Sequence, residues 1–183
     1  MKLVKIFAVV LLSFVFIGAN AQSFNTEKTV EVQTPNARIL PNITVLSLEG
    51  KEVEFTAACG MKHVVLCNLN SGPNLGNWMA EFKKAGIHSV SLISWAPILS
   101  KGMSKYMLAF YKKTFYKWQS KYGITYNIDC KKNMTKVWGL PERPSCMYIF
   151  VLGEQGEVLY NAGATDAGTF IQAINEAAKY LNN

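Results

Sequence analysis

The chain is poor in the residues that usually announce chemistry. It has 183 residues but only four cysteines, Cys59, Cys67, Cys130 and Cys146, with no C-x-x-C spacing among them. So few exclude a disulfide-dense mini-scaffold, and their spacing signals neither a zinc ribbon nor a redox pair. His63 and His88 are the only histidines. A mixed Cys/His metal site would need a spatial coincidence, so no metal and no cofactor is expected. The acids number 12 and are scattered, and nothing resembles an acid/base pair, a P-loop or a Ser/His/Asp set. There is no internal repeat and no low-complexity tract. Beyond the first twenty residues no stretch approaches the ~18 apolar residues of a membrane helix. What is present is globular in character: 50% apolar, 17% charged and 12% aromatic residues, which excludes a disordered chain, a collagen-like repeat and a coiled coil.

The beginning reads as an address. Lys2 and Lys5 precede an almost wholly apolar run from Ile6 to Ile17, and Ala19-Asn20-Ala21 supplies an A-x-A cleavage signal before Gln22. A membrane anchor is the alternative, but about twelve apolar residues cannot span a ~30 Å hydrocarbon core at ~1.5 Å per residue. The expectation is a signal peptide over 1–21, cleaved after Ala21, and a periplasmic or secreted protein. Without it the chain keeps 17 basic and 12 acidic side chains. That is mildly basic, short of the dense block a nucleic-acid binder carries.

Residues 22–40 are polar and unpatterned and read as a loose lead. A domain is expected over 41–183, with a Lys- and aromatic-rich insert at about 96–123. Ile43–Leu48, Glu49-Gly50 and Lys51–Phe55 read as a hairpin. Val64–Cys67, running on through Leu69, reads as a strand buried on both faces. Ser71-Gly72-Pro73-Asn74 breaks it. Leu75, Trp78, Met79 and Phe82 then mark a helix that Gly86 ends. His88–Trp95 and Ile124–Ile128 read as strands, with a short helix over Lys131–Trp138. Met147–Leu152, a Gly153–Gly156 turn and Glu157–Tyr160 form a second hairpin. Asp166–Leu181 is a closing helix with Thr165 as its N-cap, and Phe170, Ile171, Ile174, Ala178 and Leu181 on one face. Strand-helix-strand units imply parallel pairs covered by helices.

Three places carry a resemblance to the thioredoxin-like superfamily over roughly residues 43–181. They are the strand Val64–Asn70 leading into Ser71-Gly72-Pro73-Asn74 and a helix, Pro144-Ser145 directly before Met147–Leu152, and the final hairpin and helix. The resemblance implies a three-layer α/β/α sandwich with a mixed central sheet. In that superfamily the first place holds Cys-Gly-Pro-Cys and the second a cis-proline facing it. Here Ser71 and Asn74 stand in the cysteine positions. The Lys-rich insert, Trp138-Gly139-Leu140 and the closing hairpin and helix are similar to the exported TlpA/YtfJ-like branch.

Dithiol exchange needs an attacking thiolate and a second thiol to resolve the mixed disulfide. Neither Ser71 nor Asn74 supplies one. The helix N-terminus there could still receive an anion or carbonyl, with Ser71, Gly72, Pro73, Asn74, Pro144 and Ser145 as binding residues; the alternative is an inherited turn with no task. The resemblance makes the strands of Cys67 and Cys146 neighbours. They read as two buried inert thiols; the rival is a structural disulfide among the four cysteines, whose three complete pairings the sequence leaves open. Cys146 is also a candidate catalytic thiol because the superfamily places it near the helix N-terminus. Cys130 is another, because Lys131 and Lys132 would favour its thiolate.

Between Lys101 and Tyr122 lie six lysines and no acid. At ~100° per residue, Met103, Met107, Phe110, Tyr111, Phe115, Trp118 and Tyr122 gather on one half of a helix, and Lys105, Lys112, Lys113 and Lys117 on the other. One reading is a surface for anionic membrane or an acidic partner. The other is a core-packed helix with solvated lysines, and export argues against nucleic acid. The function expected is that of an exported thioredoxin-like protein without the dithiol, binding an envelope protein or a small anionic ligand. The alternatives are a single-cysteine redox enzyme and an interaction module.

Overall fold

The computed structural model describes residues 31–32, 38–68, 75–95, 105–143 and 146–182. Its strands are β1 (Glu31–Val32), β2 (Ile43–Leu46), β3 (Glu52–Phe55), β4 (His63–Asn68), β5 (Val90–Trp95), β6 (Ile124–Asp129), β7 (Met147–Leu152) and β8 (Val158–Ala164). The helices are α1 (Leu75–Lys84), α2 (Lys105–Tyr122), α3 (Asn133–Lys136) and α4 (Ala167–Asn182). One eight-stranded mixed sheet runs β1-β8-β7-β4-β5-β6-β2-β3. The β4, β5 and β6 strands are parallel neighbours. β7 lies antiparallel against β4, and β8 against β7.

Strand side chains alternate between two cores, as the period of two requires. Val64, Leu66, Val90, Leu92, Ile124, Tyr126, Ile128, Met147, Ile149 and Val151 face one layer. Three helices close that layer, through Met79 and Phe82 of α1, Phe115 of α2, and Phe170, Ala173, Ile174 and Ala177 of α4. Val65, Cys67, Ile93, Tyr148, Phe150 and Leu152 face the other, where Met134 of α3, Trp138, Leu40 and Phe55 cover them. The architecture is thus a thioredoxin-like α/β/α sandwich, with its helices unevenly shared among the described residues.

Four sequence expectations need correction. The lead is used by the sheet rather than loose: β1 pairs with β8, the Leu40 amide donates to the Gly156 carbonyl, and the Val158 amide to that of Arg38. Edge pairing of this kind needs only backbone groups, so no side-chain period betrays it. The cap of α4 is Asp166, not Thr165. Its Oδ1 accepts from the Thr169 amide at 2.9 Å while Thr169 Oγ1 receives the Asp166 amide, a reciprocal capping box. Ile171 stands 41% exposed, because the buried face runs through Phe170, Ala173, Ile174 and Ala177. Finally, α3 is a single turn preceded by Lys132 at φ 60°. The Asp129 carboxylate takes the amides of both Lys131 and Met134 and bends the chain there.

Candidate functional site

The parallel strands β4, β5 and β6 end on one edge of the sheet, the usual place for ligands in open α/β folds. β7 begins on the same edge, since Asn68 pairs with Met147. Cys146 therefore stands beside the end of β4, as the resemblance implies. Ser71, Gly72, Pro73, Asn74, Pro144 and Ser145 lie outside the described residues, so their expected roles stay with the sequence.

What surrounds that pole is described. Asp129 is fully buried at the end of β6 and spends both oxygens on backbone amides, at 3.0 and 2.7 Å. Trp95 ends β5 beneath the Lys132 ammonium, 4.6 Å from the ring centroid, and Lys132 also pairs with Glu142 at 2.8 Å. The Trp95 Nε1 is buried with no partner among the described residues.

All four cysteines are thiols, so a disulfide is not formed between any of them. Cys67 and Cys146 are buried to 0% and 1% exposure in the same cluster, which matches the inert-thiol reading. Burial, with the Asp129 carboxylate added, pushes the Cys67 thiol far up. Cys146 Sγ lies 3.8 Å from the Met147 carbonyl. A thiol sealed at 1% exposure is not positioned to meet a substrate.

At Cys130 the surroundings oppose the expected activation. Its thiol is raised, not lowered: desolvation comes first, then Asp129, with Lys131 opposing. The two lysines expected to favour the thiolate are engaged elsewhere, Lys131 with Glu52 at 2.6 Å and Lys132 with Glu142. Cys130 does line a cleft of about 220 Å³ with Thr44, Val45, Leu46, Glu52, Ile128 and Lys131. The cleft lies where β2 adjoins β6, which pair at Leu46 and Ile128.

On α2 the described aromatics of the expected apolar half, Phe115, Trp118 and Tyr122, pack at the core. Phe115 is buried and stacks on Tyr126 at 3.5 Å between centroids, and Trp118 and Tyr122 pack behind it. Lys113 and Lys117 are exposed and Lys112 is half-buried. The Lys105 side chain, like those of Met107, Phe110 and Tyr111, and all of Met103, lies outside the described residues. The described part of the helix has its aromatics inward and Lys113 and Lys117 outward, an arrangement that both expectations for this segment share.

One pair of side chains escaped the sequence reading. Cys59, exposed in the loop between β3 and β4, has its Sγ 3.1 Å from Nδ1 of His63. The signal available was a C-x-x-x-H spacing. Outside a helix, that spacing predicts no contact until the loop is folded.

No protein-family model matches the chain, and no curated protein matches it. Among solved structures, the chain is similar to the thiol peroxidase from Chromobacterium violaceum, at 13% identity over 84% of this chain and 92% of that one, with a TM-score of 0.53. It is also similar to a thiol:disulfide interchange protein from Bacteroides sp., at 15% identity over 83% of this chain and 92% of that one, with a TM-score of 0.50. At these identities the likeness is one of fold: the protein is thioredoxin-like in architecture. No helix among the described residues is long and apolar enough to cross a membrane.

Proposed function

We propose that this is an exported thioredoxin-like protein that acts by binding at the carboxyl pole of its sheet and not by dithiol exchange. The observation that carries the reading is the state of the sulfurs at that pole. Where the resemblance calls for two cysteines the sequence has Ser71 and Asn74, and the described thiols nearest in the fold, Cys67 and Cys146, are sealed at 0% and 1% exposure. A hydroxyl is not appreciably ionised near neutral pH and an amide cannot resolve a mixed disulfide. The segment Ser71-Gly72-Pro73-Asn74 that precedes α1 in sequence is, in this reading, the place for a carbonyl or small anion, or for an extended segment of an envelope partner. Export and the YtfJ-like assignment belong to this same proposal, supported by the leader pattern of residues 1–21.

The test is insulin reduction by the mature chain in the presence of dithiothreitol. Turnover should equal the protein-free blank. Turnover clearly above it defeats the proposal.

A further inference from the structure

The amino end of β4 carries a thiol arrangement that the carboxyl end lacks. Cys59 is exposed, His63 is half-buried at the first position of β4, and the Sγ–Nδ1 separation is 3.1 Å. The Met61 carbonyl oxygen lies 3.4 Å from Sγ and 3.2 Å from Nδ1. Nucleophile and base are thus within hydrogen-bond reach, and the Met61 carbonyl can accept from either. A thiol in reach of a base is the first requirement for its activation.

The loop that presents them is fixed at several places. The Ala57 amide donates to Asn42 Oδ1 and the Gly60 amide to the Glu154 carbonyl. Gly60 takes φ +75°, a conformation that favours glycine, and a Cβ on Gly156 would meet Ala57 at 3.2 Å. The β7–β8 turn therefore packs directly under the loop. The charged residues on the loop and on the turn packed against it are Lys62, Glu154 and Glu157, the last with its carboxylate at the Gln155 amide.

We propose that Cys59 and His63 form a nucleophile–base pair that captures small-molecule disulfides as a mixed disulfide on Cys59. In the step, Sγ attacks one sulfur of the disulfide. The Cys59–sulfur bond forms as the sulfur–sulfur bond of the reagent breaks, and the other half leaves as a thiolate. The thiol proton passes to His63 Nδ1, where the Met61 carbonyl accepts the new N–H, and from there to the leaving thiolate. No electrons are gained or lost overall. No second cysteine is placed to resolve the product: Cys67 and Cys146 are buried, and Cys130 follows the far end of β6. The adduct is therefore stable until an external thiol removes it.

The experiment treats the mature chain with oxidised glutathione, and separately with pulsed iodoacetamide, and maps the adducts by mass spectrometry. Cys59 should be modified first, and faster in the native protein than in the urea-unfolded chain. His63→Gln should slow both reactions by about tenfold or more, as loss of a general base does. Labelling of Cys67 and Cys146 reports whether that variant is folded. If it is not, the native-to-unfolded rate ratio of Cys59 in the unmutated chain decides. A native Cys59 rate no greater than the unfolded one, or an unchanged rate in folded His63→Gln, overturns the proposal. Insulin reduction is a separate readout, so failure here and failure of the binding reading are distinguishable.

Discussion

The two ends of β4 make opposite use of sulfur. At its carboxyl end Cys67 and Cys146 are shut in one apolar cluster, next to a carboxylate already committed to backbone amides. At its amino end Cys59 is open to solvent with an imidazole in contact. Both ends belong to one strand of six residues. The difference lies in what covers them, not in the cysteine itself: burial penalises the thiolate, while an adjacent base and access to solvent favour its chemistry.

The largest expected effect comes from unsealing the closed end. Trp138 is 1% exposed, packs edge-on against Phe55 and Phe150, and donates its Nε1 to the Pro41 carbonyl at 2.8 Å. It shares the cluster of Cys67 and Cys146. Trp138→Ala should lower stability by about 3–5 kcal/mol, as large-to-small core changes do, and expose those two cysteines to alkylation. Denaturant unfolding and labelling on one sample check both. Labelling confined to Cys59 would break the link between the cluster and the seal.

A smaller effect is expected at Asp129. Asparagine keeps one acceptor oxygen but turns an amide group toward the other backbone N–H. Asp129→Asn should cost about 2 kcal/mol, the scale of a charge-assisted hydrogen bond. It also removes an anion that raises Cys130, so Cys130 should alkylate faster in the folded variant. An unchanged Cys130 rate would show that desolvation alone holds that thiol.

The smallest effect lies off both ends and has the opposite sign. The Tyr160 hydroxyl is buried with no hydrogen-bond partner among the described residues. Tyr160→Phe should stabilise by about 1 kcal/mol, since it removes an unpaired buried polar group. Burial, with Glu176 and Tyr180 nearby, pushes the Tyr160 phenol up to about 12. A folded value above the usual ~10 means its contribution is complete below ~10 and is lost as pH rises towards about 12. The unmutated chain should lose stability across that window, and Tyr160→Phe should lose less. Equal losses in thermal melts at pH 9 and 11.5 would exclude Tyr160 as the titrating group.

Much of the frame was legible because it rests on period. Val64–Cys67, His88–Trp95 and Met147–Leu152 announced buried strands, and the Leu75–Phe82 spacing announced α1. The errors fell where backbone groups decide. Residues 31–32 and 38–40 pair through amides and carbonyls that no side-chain pattern reports. The α4 cap moved by one residue because Asp166, not Thr165, reaches the amide three positions on. The site was less legible still. Adjacent lysines suggested an activated Cys130, but only the folded chain shows those lysines bound to Glu52 and Glu142, with burial and the Asp129 charge raising the thiol.

By itself the sequence determined that the chain holds four cysteines and no C-x-x-C pair, since which atoms a chain contains is settled before it folds. It also determined the alternation that makes one sheet face two cores. Only the tertiary structure decided which of four similar thiols are sealed and which meets a base. Desolvation and proton transfer depend on distances of a few ångströms between residues, and a linear order of residues does not contain those distances.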